Sequence, residues 1–293
     1  MDFNSYQKEA QVTDRIPSRK GLADTGTDLV VPLLGLAGET GELLSEYKKH
    51  LRDGDSHLLF KERVSEELGD LLWYIANVAE KFGLKLDDVA RQNLEKSKGR
   101  WGPQDTRSVI FDAQYADHER LPRRFEIELS EVLIDGKTKI QMCVDGVKVG
   151  DSLTDNSNDP DGYRFHDVFH LAYVAVLGWS PVIRKLMKRK RKSSPEIDEV
   201  QDGGRAQVLD EGVVALVFDY AKEHNWLDGV NEIDYKLLRT IKGVTSLLEV
   251  SERSLGEWQR AILNGFEVWR QVVKCNGGKI LVDQDAEKLI FLG

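Results

Sequence analysis

A chain of 293 residues holds enough material for one large or two ordinary domains. Its apolar and charged fractions, 41% and 31%, exclude a disordered chain, and a net charge of −9 argues against a general nucleic-acid coat. The first residues, Met1 to Glu9, lack the apolar core of a signal peptide, and no apolar run is long enough to span a bilayer. Cys143 and Cys275 stand far apart and in no metal-ligand spacing, so a reduced, cytoplasmic setting is expected.

In chain order, residues 2–14 predict a short amphipathic helix, and 15–30, with Pro17 and several Gly, Asp and Thr, a loop. A helix follows over 33–51, broken by the polar run 52–56. The next, 59–82, ends at Gly83, a suitable C′ residue. Its apolar positions Val64, Leu68, Leu71, Leu72, Ile75, Val78, Ala79 and Phe82 keep the 3.6-residue period and predict a packing face. Glu67, Asp70, Tyr74 and Asn77 lie on the neighbouring stripe. A third helix covers 86–99, and weak periodicity over 104–122 reads as a linker.

Composition then shifts. Phe125, Ile127 and Leu129 alternate with Glu126 and Glu128, and Ile140, Met142 and Val144 alternate in turn, with the hairpin signal Asp135-Gly136 between them. Helical patterns return at 163–178, 181–192, 204–224, 233–248 and 254–274, and 279–282 with 288–292 suggest a second small hairpin. The expectation is a mainly α protein with three parts: a helical module at 1–103, a linker at 104–122, and a mostly helical α+β domain at 123–293 with one or two small β-hairpins.

The sharpest chemical signal is Glu39-x-x-Glu42 followed by Glu67-x-x-Asp70. Residues three apart share a helical face, so each pair points two carboxylates one way and two helices can bring four together. Such a cluster calls for a cation, and hard oxygen ligands suit Mg²⁺ or Mn²⁺. Gly38, Gly41 and Gly69 flank the acids and suggest close helix approach or room for a ligand.

The two segments, Gly35 to Leu43 and Glu66 to Tyr74, resemble the signature segments of the all-α NTP pyrophosphohydrolases, the MazG-like family. Asn93-x-x-Lys96 with Arg100 is similar to that family's phosphate-contacting segment. The resemblance covers about residues 2–101, with Gly38-Glu39 where many members carry two adjacent Glu. It implies a nucleoside triphosphate substrate, cleaved between the α and β phosphates to a monophosphate and pyrophosphate. Glu39, Glu42, Glu67 and Asp70 would hold Mg²⁺. Glu46 or Glu66 would orient or deprotonate water, and Asn93, Lys96 and Arg100 would contact phosphates. A homo-oligomer, dimer or tetramer, is also implied.

The second half carries two weaker signals. His166 and His170 stand at i, i+4 with Asp167 between them, and with Arg205, Asp210, Glu211 and Asp219 they could form a second polar site. A metallopeptidase is disfavoured, because Asp occupies the place of that motif's general-base Glu and no third ligand follows at a recognised spacing. The run 184–192 is strongly basic and precedes an acidic block. It reads as a solvated helix end, ahead of a nucleic-acid contact. The segment from Phe165 to about Tyr220 resembles the C-terminal extension of some long MazG-like proteins. The leading alternative to turnover is a nucleotide-sensing regulatory or defence protein whose basic C-terminal region binds nucleic acid.

Overall fold

The computed structural model describes residues 1–15, 27–101 and 109–293, and the chain divides into two units, Met1–Lys98 and Gly99–Gly293. Unit 1 holds α1 (Phe3–Val12), α2 (Thr27–Asp53) and α3 (Phe60–Lys81), and most of α4 (Leu86–Trp101). Asp2 caps α1 by accepting from the Ser5 amide at 2.7 Å. Most of the predicted loop, 16–26, lies outside the described residues. α2 runs two residues past the predicted stop, to where Gly54 takes φ +58° and a 3₁₀ turn follows.

The described interior of unit 1 is small. Ala10, Ala76, Ala79 and Leu86 form it, with Tyr6 and Trp73 packed against them. Gln7 is buried and fully used: its amide donates to Glu80 Oε2 at 2.8 Å and to the Leu84 carbonyl at 2.9 Å, while its oxygen accepts from the Leu86 amide at 2.9 Å. One side chain thus ties α1 to the α3–α4 turn. The Trp73 indole donates to Thr13 Oγ1 at 2.8 Å, a structural use rather than a base-stacking one.

The predicted packing stripe of α3 is mostly not buried. Leu68 is 52% exposed and Phe82 57%, and on α2 Leu34, Leu44 and Leu51 are each more than 60% exposed. Of the predicted positions only Ala79 is buried; Ala76 and Asn77 join it where α1 lies. Asn77, expected on the chemical face, donates to the Trp73 carbonyl at 3.1 Å from a fully buried position.

Gly35 of α2 lies directly against the Tyr74 ring of α3, where a Cβ would collide with it. Gly38, Gly41 and Gly69 have open space where a Cβ would stand, so they leave room beside the acids. Gly35→Ala should therefore destabilise unit 1 by about 1–3 kcal/mol, as overpacking does. Gly41→Ala should be neutral or stabilising, by up to about 1 kcal/mol of helix propensity. Thermal melts of the two variants compare the effects directly.

Unit 2 is built on a five-stranded antiparallel sheet, larger than the one or two hairpins expected. Its strands are β1 (Arg124–Ile134), β2 (Lys137–Val144), β3 (Val147–Leu153), β4 (Gly278–Asp283) and β5 (Lys288–Phe291), in the order β3-β2-β1-β4-β5. Asp135-Gly136 forms the predicted turn, with both residues at positive φ, and Asp145-Gly146 repeats it between β2 and β3. The terminal hairpin joins the first through β1–β4 pairing, Ile127 opposite Ile280, which no local pattern could reveal. Phe125, Ile127 and Leu129 face inward, as their alternation requires.

The central helix begins with a 3₁₀ turn at 163–165, continues as α5 (Asp167–Ala172), and ends in a π-helical turn over 173–177. It is buried on every side from Phe165 to Leu177, with His166, Asp167 and His170 as its buried polar residues. Short α6 (Pro181–Leu186) and α7 (Pro195–Val200) lead to α8 (Gly204–Lys222), α9 (Tyr235–Val244) and α10 (Leu255–Cys275). α10 opens on a capping box: Glu257 accepts from the Ser254 amide at 2.7 Å, and Ser254 Oγ accepts from the Glu257 amide at 3.1 Å.

The helix expected over 181–192 stops at Leu186, and the basic run sends two of its arginines inward. Arg184 and Arg191 are 1% exposed. Arg191 donates to Asp202 Oδ1 at 2.7 Å and to both Glu249 oxygens at 2.8 Å, and Arg184 donates to Asp112 at 2.6 Å. Lys190 pairs with Asp198 at 2.6 Å, and Arg189 donates to the Asp117 carbonyl at 2.6 Å. Asp198 and Asp202 of the following acidic block, with the remote Asp112 and Glu249, thus pair part of the run, and Lys185, Lys188 and Lys192 stay exposed.

Residues 109–122, read from sequence as linker, contribute buried Phe111, Asp112, Glu119 and Leu121 to this unit; 102–108 lie outside the described residues. Burial opposes the Asp112 charge, but Arg184, Arg123 and the Leu121 amide outweigh it and hold the carboxyl below its ordinary value. A depressed carboxyl contributes stability above its unfolded pKa of about 3.9 and loses it as pH falls through the lower folded value. Unit 2 should thus lose stability on acidification below about pH 4, and less steeply in Asp112→Asn. Urea midpoints across pH report this.

Candidate functional site

Two clusters of potential metal ligands occur among the described residues, one in each unit. In unit 1, Glu39 on α2 meets Glu67 and Asp70 on α3, with one oxygen from each lying within 4.8 Å of the others. The i, i+3 spacing on α3 and the antiparallel course of α2 suffice to bring them together. Burial, and then the charges of Glu39, Glu42 and Asp70, push the Glu67 carboxyl above its ordinary range. Carboxylates held together at this strain fit a divalent cation. Burial and the Asp70 charge likewise push the Tyr6 phenol up, so α1 contributes to the surroundings of the site through a residue that no motif marks.

The remaining predicted residues fall elsewhere. Glu42 is exposed and outside the three-oxygen group, though its charge bears on Glu67. Glu46 is buried and engaged by Lys49 and by His57 Nε2 at 3.3 Å; its hydrogen bond to Lys49 holds it below the usual carboxylate range. The helical rise places it about 10 Å along α2 from Glu39, beyond reach of the cluster. Glu66, about 100° around α3 from Glu67, pairs with Arg63 at 2.9 Å. Asn93 and Lys96 are exposed on α4, and the side chain of Arg100 lies outside the described residues.

In unit 2, His166 and His170 of the central helix meet Glu211 of α8. His170 is fully buried, with Nδ1 2.8 Å from Asp210 Oδ1 and Nε2 3.3 Å from Glu211 Oε2. Consecutive acids on a helix point about 100° apart, and here they reach opposite nitrogens of one ring. Asp210 is fixed in turn, accepting from Ser180 Oγ at 2.6 Å and the Val182 amide at 3.2 Å. Burial opposes an imidazolium at His170, but Asp210 and Glu211 prevail and hold it up to about 10. Burial pushes the Asp167 carboxyl up.

Of the second polar site read from the sequence, His166, Asp167 and Glu211 line one cavity of about 540 Å³. Arg205 and Asp219 do not line it and stand exposed, because the inward stripe of α8 is Ala206, Asp210, Val213, Val214 and Val217. Ser180, which orients Asp210 from outside α8, was not foreseeable from any local spacing.

No described helix is long and apolar enough to cross a membrane. The MazG nucleotide pyrophosphohydrolase domain matches residues 32–102, and the MazG C-terminal domain matches residues 106–293. The Gene 37 protein of Mycobacterium phage L5 is 35% identical over 102 residues, which is 34% of this chain and 89% of that protein. No solved structure matches the chain. With its carboxylate cluster inside one matched domain and its histidine cluster inside the other, the chain belongs to the MazG family.

Proposed function

We propose that this protein is a Mg²⁺-dependent nucleoside triphosphate pyrophosphohydrolase, releasing a nucleoside monophosphate and pyrophosphate. The observation that carries the reading is the convergence of Glu39, Glu67 and Asp70 within the matched pyrophosphohydrolase domain. These three would hold the ion, with Glu42 adding charge beside them. Bound Mg²⁺, or Mn²⁺ in its place, supplies positive charge against the phosphate oxygens and acidity to a water. Glu46 and Glu66 are committed to ion pairs, which leaves Glu42 as the motif carboxylate to accept the proton from that water. Asn93, Lys96 and Arg100 are the phosphate contacts in this reading.

The many exposed apolar side chains of α2 and α3, among them Leu34, Leu44, Leu51 and Leu68, support a homo-oligomer that would cover them. Light scattering on the full chain should give a dimer or tetramer mass. The nucleic-acid alternative is weakened by the buried, paired state of Arg184 and Arg191.

Incubation with a panel of ribo- and deoxyribonucleoside triphosphates and Mg²⁺ tests the proposal. Monophosphate and pyrophosphate should appear in equal amounts, and Glu39→Gln should abolish both. Nucleotide that binds without product across the panel would replace turnover with sensing.

A further inference from the structure

We propose that His166, His170 and Glu211 form a binding site for a divalent transition-metal ion of the zinc class, whose open coordination position takes a small oxyanion from the adjoining cavity. The inference is independent of the carboxylate cluster in unit 1.

Hydrogen bonding fixes both rings. The Tyr163 carbonyl can only accept, so His166 Nδ1, 2.9 Å away, carries a proton and its Nε2 presents a lone pair. Asp210 likewise draws a proton onto His170 Nδ1, turning that ring's Nε2 toward the same point. Glu211 Oε2 lies 3.3 Å from His170 Nε2 and 3.8 Å from His166 Nε2. In the metal-free protein the imidazolium proton of His170 meets Glu211; a metal ion that displaces that proton would find three donor atoms converging on one place. A single proton on His170 serves one of the two imidazoles and leaves His166 Nε2 facing a carboxylate oxygen.

The spacings suit a metal. Ligands at about 2.0–2.1 Å from a tetrahedral ion lie about 3.4 Å from one another, close to the separations seen. Nitrogen and carboxylate donors in a two-to-one ratio are a zinc-class set, and three protein ligands leave one position open. The surroundings are those of a supported ligand. Asp210 holds His170 from behind while Ser180 and the Val182 amide hold Asp210, the arrangement that orients metal-bound histidines. His166 is also held by stacking on Tyr163 at 4.6 Å between centroids.

The open side faces the cavity of about 540 Å³, a volume suited to a small molecule. Beside Glu211 the wall carries Lys185 and Gly204 at the start of the 19-residue α8, with Asp151 and Asp167 on the same wall. A divalent ion in a cavity that also carries the Lys185 ammonium favours an anionic oxygen ligand, with inorganic phosphate as the probe.

The full-length protein, stripped with chelator and titrated with Co²⁺, should show the intense visible bands of a four-coordinate ion at one site per chain, displaced by Zn²⁺. Glu211→Gln, at a half-exposed position where folding is secure, and His166→Gln should each weaken binding at least tenfold. Asp210→Asn should weaken it about 10- to 100-fold. Glu39→Gln with Asp70→Asn should leave the bands unchanged, which separates this site from the one in unit 1. Phosphate should shift the bands, less so in Lys185→Ala. Absence of the bands, or their survival in both Glu211→Gln and His166→Gln, would overturn the metal site and leave a structural ion pair. A spectrum indifferent to phosphate would overturn the ligand class.

Discussion

Glu67→Gln should lower pyrophosphate release at least about a hundredfold, beyond the 10- to 100-fold typical of residues that only support metal ligands. The same substitution should leave the metal-free protein as stable as the parent or more so. Burial and the charges of Glu39, Glu42 and Asp70 raise the Glu67 carboxyl above its ordinary value. A carboxyl raised on folding contributes its stability below the unfolded pKa and loses it as pH rises through the folded value. At neutral pH the ionised group therefore opposes folding of the metal-free site, and a neutral amide relieves that opposition. Activity and melting temperature should move in opposite directions. A variant that loses both would show Glu67 to be structural, and one that keeps its activity would remove the carboxylate cluster from the reaction.

Arg191→Met should destabilise unit 2 by about 3–5 kcal/mol, the range expected when one partner of a buried ion pair is removed. The guanidinium is the shared partner of Asp202, which is fully buried, and of Glu249, which is nearly so. Burial already pushes Glu249 up even with Arg191 beside it. Without the arginine, Glu249 and Asp202 would lose the guanidinium they share in the interior. Lys188→Ala and Lys192→Ala, at exposed positions of the same basic run, should change stability by no more than about 0.5 kcal/mol. Urea unfolding followed through the buried tryptophans Trp179 and Trp258 reads all three. Equal, small effects would return the run to a solvated charge patch.

These two experiments divide along the line between local and non-local information. The carboxylate site was legible because its geometry is nearly one-dimensional. Glu67 and Asp70 share a face by helical spacing alone, and a short connection returns α2 beside α3 so that Glu39 joins them. Gly83 as a helix end and Asp135-Gly136 as a turn were legible for the same reason, since each is a φ preference of one or two residues. Periodicity misled on α3. An apolar stripe says only that a face seeks cover, and in this chain the cover given by α1 meets the stripe at Ala79 and otherwise falls on Ala76 and Asn77.

The sequence by itself determined the family, the acidic motif and most of the helices. Tertiary structure alone decided that the two hairpins join in one sheet through β1 and β4, with the whole segment 135–277 lying between the strands that meet. It also sent Arg184 and Arg191 inward from a run that reads as solvated, and divided Asp210 and Glu211 between the two nitrogens of His170. Each of these depends on which distant segment lies opposite. Charge and hydropathy along a chain state what a residue needs, and only the packing of remote elements states which residue supplies it.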